Sequence, residues 1–260
     1  MPLPAVIVDV FVVAFGLLVG SFLNVCIHRL PLKQSIVFPS SRCPRCGHEL
    51  AWYENVPLLS YAVLRGRCHT CAAPISIRYP IVEALTGALF LWHWWTFGPG
   101  ALFAVRLAFA CALFVLFAID LEHQILPDVI TLPGIVVGFV CSWFLPPGPV
   151  MSVVGIVVGG GILWLIAEVW FRVRKVEAMG FGDVKMLAMV GAFLGVKLVG
   201  LVFVLSSILG GIVGVMLIAA RRADMATKVP FGTMIAVASL VASLYGDAIV
   251  AWYASLFAVS

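Results

Sequence analysis

Asp120 and Asp183 are the residues best placed to do chemistry in this chain. Asp120 closes the apolar run Ala101 to Ile119, and Asp183 ends the string Gly180-Phe181-Gly182-Asp183 before the next apolar run. A carboxylate at the edge of a bilayer is costly unless it is compensated or used, so each is a functional candidate by default. Two such groups on one side of a membrane fit acid/base work on a bond held at its surface, one carboxylate activating water and the other protonating a carbonyl oxygen. Asp120 is expected at the C-terminus of its helix, where unpaired carbonyls and nearby Glu122 disfavour an anion. Asp183 is expected at a helix N-terminus beside Lys185, which favours one. The sequence therefore predicts that Asp120 holds the proton and Asp183 is ionised. Gly180 and Gly182 permit positive φ and close backbone approach beside the carboxylate. Read alone, the string is also consistent with a turn in which Asp183 caps a helix. Asp128, after Leu126-Pro127, is expected to cap the next span or to support the site.

A second constellation is Cys43-Pro44-Arg45-Cys46, then 21 residues, then Cys68-His69-Thr70-Cys71. Two CxxC pairs at this spacing point to a tetrahedral four-cysteine zinc knuckle, structural because four thiolates leave no open position. Disulfides or a redox dithiol are the alternatives, and a cytoplasmic location argues against stable disulfides. His48 and His69 lie beside the pairs, as surface residues or replacement ligands. Cys26, Cys111 and Cys141 fall in apolar runs and read as small packing residues.

The elements that must hold these groups are membrane helices. Of the 260 residues, 63% are apolar and 11% charged, with mean hydropathy +1.14, which excludes an ordinary soluble domain. Runs long enough to cross a bilayer, about 17–25 residues, are expected at roughly 5–27, 79–97, 100–119, 129–146, 150–171, 184–199, 200–220 and 231–256. The break near Lys197 is the weakest. The fold class is thus an all-α polytopic membrane protein of about eight transmembrane helices. A small cytoplasmic zinc-knuckle-like insertion follows the first, which is a true span and not a cleaved signal. Three parts follow: a first helix at 1–27, a four-cysteine domain at 28–78 and a membrane catalytic domain at 79–260. The insertion is too small to rely on a hydrophobic core alone.

Fourteen of the sixteen Lys and Arg fall on one side of this arrangement, including Arg29, Arg42, Arg65, Arg172, Lys175, Arg221, Arg222 and Lys228. That side is cytoplasmic by the positive-inside rule, which places both aspartates there and both termini outside. The net charge of +4 reflects this bias and gives no reason to invoke nucleic acid. Asp9, Glu83, Glu168 and Asp247 are expected to snorkel or to pair with Arg106 or Lys197. Glycines at 155, 159–161, 210, 211 and 214 fall inside spans and read as helix-packing positions, not a phosphate loop. No internal repeat is visible.

The chain resembles the type IV prepilin peptidases, membrane aspartyl proteases of the GxGD class. The resemblance rests on ordered motifs: Gly20-Ser21-Phe22-Leu23-Asn24-Val25, His28-Arg29-Leu30-Pro31, the two CxxC pairs, Pro57-Leu58-Leu59-Ser60-Tyr61, Arg65-Gly66-Arg67-Cys68 and Arg78-Tyr79-Pro80-Ile81-Val82-Glu83. Ile119-Asp120 with Leu126-Pro127-Asp128, Gly180-Phe181-Gly182-Asp183-Val184-Lys185 and Pro230-Phe231-Gly232 complete it. It implies removal of the basic leader of prepilins or type II secretion pseudopilins, at a Gly-Phe type bond on the cytoplasmic face of the bacterial inner membrane. It also implies N-methylation of the new terminus from S-adenosylmethionine. Asp120 and Asp183 would be catalytic, with Gly180 and Gly182 in the active-site loop. Asp128, Lys185 and Glu83 would support them, and Cys43, Cys46, Cys68 and Cys71 would hold zinc. Membrane lipid is an expected partner, whereas the methyl-donor pocket and the oligomeric state are not assigned. The compact cytoplasmic loop lacks the long insertion that some members carry before the first CxxC. Two rival readings are a proton-coupled transporter, which calls for acids near the bilayer midplane, and a zinc-knuckle scaffold with dispensable aspartates.

Overall fold

A computed structural model describes residues 5–175, 180–220 and 230–257. Among these residues it is helical throughout, with eight α-helices and no β-strand beyond two isolated bridges. Arg221, Arg222 and Lys228, counted above among the cytoplasmic cations, lie outside the described residues. The chain divides into two compact units, Met1–Leu107 and Ala108–Ser260.

The first unit is built on α1 (Ala5–Arg29) and α3 (Arg78–Phe97). Their contacts run in opposite order, so the pair is antiparallel. Asp9 accepts a hydrogen bond from Trp95 Nε1 at 3.3 Å, Phe15 meets Phe90 edge to face, and Asn24 Nδ2 donates to the Tyr79 carbonyl at 3.1 Å. Between the helices lie the cysteine segment, a single 3-10 turn Trp52–Asn55 and the short α2 (Leu59–Val63). Leu58 adopts φ 60°, rare for a residue with a Cβ. Its N–H is given at 2.9 Å to the buried Glu83 carboxylate on α3, which also meets Ser21 on α1.

The second unit contains most of α4 (Ala101–His123), then α5 (Asp128–Cys141), α6 (Pro149–Arg174), α7 (Phe181–Ala219) and α8 (Phe231–Ser255). At Gly195 the φ/ψ pair of 77° and 172° breaks α7 into two arms, α7a (181–194) and α7b (196–219). Only glycine holds that φ cheaply. The Leu187 carbonyl of α7a and the Val199 side chain of α7b both lie against Gly159, so both arms pack on one side of α6. Leu198 meets Gly246 and Gly210 faces Phe231, so α7b runs antiparallel to α8. The sixth and seventh expected spans are therefore arms of one bent element, parted at Gly195, two residues before Lys197.

Five helices are long and apolar enough to cross a membrane: α1, α4, α6, α7 and α8. The described residues thus support a multi-pass membrane protein, while the expected count of eight is not reached on length and composition. α5 has only 14 residues, against the 18 expected there, because the chain leaves the helix at Ser142. Elsewhere Glu168 pairs with Arg172 at 2.7 Å on α6, and Lys197 with Asp247 at 2.9 Å.

Lipid tails are as apolar as the helices, so close van der Waals fit must hold the spans together. The closest approach is at Gly155 of α6 and Gly191 of α7a, where a Cβ on either would fall against the other's carbonyl group. Ser152 Oγ donates to the Ala192 carbonyl at 2.8 Å beside it, and Phe109 of α4 stacks on Phe193 with ring centroids 4.5 Å apart. Gly191→Ala is expected to cost about 1–3 kcal/mol through overpacking, read as a lowered Tm in detergent. Gly161→Ala, whose Cβ would meet nothing within 4 Å, should leave the Tm in place.

Candidate active site and metal centre

The end of α4 carries Asp120 and the start of α7a carries Asp183; both side chains are buried, at 5% and 9% exposure. They line one cavity of about 270 Å³ with Gln124, Leu126, Asp128, Gly180 and Gly182. The Asp183 N–H turns back to the Gly180 carbonyl at 3.2 Å, so the glycine string forms the first turn into α7a.

Asp120 has a partner that its own neighbourhood in sequence does not reveal. Its Oδ2 accepts the backbone N–H of Thr233 at 2.8 Å. Thr233 lies in the first turn of α8, where N–H groups lack acceptors inside the helix. Its hydroxyl donates to Pro230 O at 2.6 Å and braces that turn. Gly232 is what lets α8 come so near, since a Cβ there would lie 2.9 Å from Asp120 Oδ2 and 2.9 Å from Leu126 Cδ1. Asp120 thus stands at the C-terminus of one helix and the N-terminus of another. The helix-end argument that gave it the proton no longer separates the two carboxylates.

Asp128 is not the cap expected. The position before α5 is Pro127, and the Asp128 carboxylate instead binds Lys185 Nζ with both oxygens, at 2.7 and 2.8 Å. Lys185 also lies 5.6 Å from the Phe181 ring centroid. The two supporting candidates therefore form one ion pair joining the starts of α5 and α7a. Glu83 belongs to the first unit, where it holds Leu58.

In the cysteine segment, the four sulfurs of Cys43, Cys46, Cys68 and Cys71 lie within 4.8 Å of one another, with Cys43–Cys71 at 3.8 Å and Cys46–Cys68 at 4.0 Å. A tetrahedral ion with metal–sulfur bonds of about 2.3 Å has edges of about 3.8 Å, so the set fits such an ion. A disulfide needs about 2.05 Å between sulfurs, and all seven cysteines are free thiols. Backbone N–H groups of Cys46 and Arg45 draw the Cys43 thiol down to about 6. At Cys46 the His48 N–H pulls the same way, but burial and the surrounding sulfurs outweigh it and push the thiol up to about 11. Without a cation the four cannot all be thiolates at neutral pH.

The two CxxC turns share one backbone pattern at an offset of 25 residues, which corrects the reading that the chain holds no repeat. Cys43 N–H bonds His48 O as Cys68 N–H bonds Ala73 O. Gly47 to Cys43 matches Ala72 to Cys68, and Leu50 to Ser41 matches Ile75 to Gly66. His48 and His69 are not among the ligands; both face the buried Glu54 carboxylate, at 3.0 and 3.7 Å. Glu54 also accepts the Ala51 N–H at 2.8 Å, and this bond, followed by His48, holds its carboxyl below the usual range.

The family model for the bacterial peptidase A24 N-terminal domain matches residues 14–97, and that for the type IV leader peptidase family matches residues 107–215. A prepilin leader peptidase/N-methyltransferase of Pseudomonas putida is 39% identical, over 91% of this chain and 90% of its own length. One from Pseudomonas aeruginosa is 39% identical over 93% and 91%. One from Myxococcus xanthus is 45% identical over 84% of this chain and 66% of its own. This chain belongs to the type IV leader peptidase family. No solved structure matches it.

Both aspartates fall inside the segment matched to the leader peptidase family, and the four cysteines inside the N-terminal match. Gly232 and Thr233 lie beyond both segments, yet they reach this family member's Asp120. The motif Pro230-Phe231-Gly232 was the signal that could have found them. Glu54 carried no signal beyond its position between the CxxC pairs. Purified protein is expected to carry one thiophilic divalent ion per chain, counted by elemental mass spectrometry. Cys68→Ser should lose it, and acidification should release it as the thiolates take up protons.

Proposed function

We propose that this chain is a membrane aspartyl endopeptidase that removes the leader from type IV prepilins or type II secretion pseudopilins. The cut falls before the substrate's apolar helix, at a Gly-Phe type bond, and the same chain N-methylates the new terminus with S-adenosylmethionine. The observation carrying the peptidase reading is the shared cavity of Asp120 and Asp183, reached from two helix ends and roofed by glycine backbone. The names of the relatives, which pair leader peptidase with N-methyltransferase, support the two activities.

In the cavity one ionised carboxylate takes a proton from water as the water oxygen attacks the scissile carbonyl carbon. The other carboxyl gives its proton to the carbonyl oxygen. Collapse of the tetrahedral intermediate then breaks the C–N bond: the first carboxyl passes the proton it took from water to the leaving amine, and the second recovers its proton from the intermediate's hydroxyl. The exposed backbone at Gly180 gives an extended peptide room beside Asp183. Lys185, held by Asp128, stays at the rim as a fixed charge. Neither described cavity fits the methyl donor. Among the described residues the carboxylate cavity has no aromatic side chain for an adenine, and the other has no charged group for the amino-acid end.

The four-cysteine domain of residues 28–78 holds zinc as a structural ion, since all four positions are thiolates. The membrane domain of residues 79–260 carries the peptidase. The cation bias supports a cytoplasmic site in the bacterial inner membrane with both termini periplasmic.

Co-expression with a prepilin, followed by mass spectrometry, tests the reading. Asp120→Asn and Asp183→Asn, inserted at wild-type levels, should each lose leader removal by about a thousandfold or more. Normal removal by either would overturn it. Gly232→Ala, which presses a methyl group onto Asp120, should lower the rate at least about tenfold while the wild-type product gains one methyl mass.

A further inference from the structure

A second cavity, of about 360 Å³, opens between α6, α7b and the first residue of α8. Its walls are Leu163, Ile166, Phe203, Gly210 and Phe231. Ser207, the one polar side chain among the described residues that line it, donates its hydroxyl to the Phe203 carbonyl at 2.7 Å. Leu163 is fully buried and forms the floor, whereas Ile166 is 42% exposed at the mouth. Among the described residues no charged one lines the space.

Its position gives it meaning. Phe231, Gly232 and Thr233 are consecutive: the first lines this apolar cavity, the second lies against the Asp120 carboxylate, and the third donates its N–H to it. The carboxylate cavity and the apolar one are therefore joined through a single helical turn, which rises about 5.4 Å.

We propose that this cavity is a specificity pocket for a large apolar side chain just after the scissile bond. The proposal rests on the peptidase reading and deepens it. A polar cavity for the bond beside an uncharged one for the following side chain matches a substrate that turns apolar at the cut. Gly210 sets the size of the pocket: a Cβ there would stand 3.7 Å from the Phe231 ring, in ordinary contact, so a larger side chain fills the space without displacing backbone. The occupant is the substrate side chain, and a lipid acyl chain is the alternative that the test separates.

Two prepilins, one with Phe and one with Ala as the first residue after the bond, are presented to wild type, Gly210→Leu and Gly214→Leu. Gly214 has open space around it and does not line the cavity, so it controls for bulk on α7b. Wild type and Gly214→Leu should favour the Phe substrate. Gly210→Leu should lose about tenfold or more in kcat/KM for that substrate and cut the Ala substrate near the wild-type rate. Ile166→Phe, filling the pocket from the opposite wall, should repeat the pattern if Gly210→Leu does not insert. Equal loss for both substrates, or no change for either, as a lipid-filled cavity would give, overturns the pocket. Failure of wild type to cut either substrate would overturn the peptidase reading instead.

Discussion

A carboxylate buried to this degree among apolar helices costs free energy unless the protein supplies it with a donor, and Asp120 receives one from the backbone amide of another helix. The bond works in both directions. It supplies Asp120 with a donor, and it gives α8 an acceptor for an amide that its own first turn leaves unpaired. The end of α4, the start of α8 and Leu126 at the approach to α5 are thereby held at one point. Gly232 is the condition for it, since any side chain would hold α8 off. Asp183 comes to the same cavity by a different constraint, the glycine contact that lays α7a against α6.

Two kinds of polar group thus surround the site, and they act differently. The Thr233 amide is fixed by the helix to which it belongs and cannot rearrange as charge moves on the carboxylate, which is the property electrostatic catalysis needs. The Lys185–Asp128 pair is more exposed, with Asp128 half in solvent. An ion pair there contributes little to stability, but it keeps a mobile lysine away from the carboxylates at a set distance from both helix starts. In the first unit Glu83 plays a comparable part for the strained Leu58, so each unit uses a carboxylate to fasten a loop or helix end to its spans.

Much of this was legible in the residues. In a chain with so few charges, an acid at the end of an apolar run stands out, and Asp120 and Asp183, which share one cavity, were singled out that way. The cysteine tetrad was legible because ligand spacing is a local property of the chain. What stayed hidden depended on distance or on backbone geometry. Thr233 lies 113 residues from Asp120 and contributes its main chain, which no side-chain pattern records. The pairing of Asp128 with Lys185 spans 57 residues, so the cap that local sequence implied looked sufficient. The break at Gly195 leaves hydropathy undisturbed, because only φ changes there. The repeated CxxC turns differ in side chains, Pro44-Arg45 against His69-Thr70, and agree in amide bonds.

The two helices that begin at the carboxylate cavity, α5 and α7a, have 14 residues each. At about 1.5 Å per residue each is about 21 Å long, some 9 Å short of a hydrocarbon layer about 30 Å thick. Elements that short are accommodated by thinning of the bilayer, by snorkelling of flanking residues or by association with longer neighbours. The glycine contact of α7a with α6 is an association of the last kind, so the aspartates stand at the head of elements that lean on a longer helix to reach across the layer.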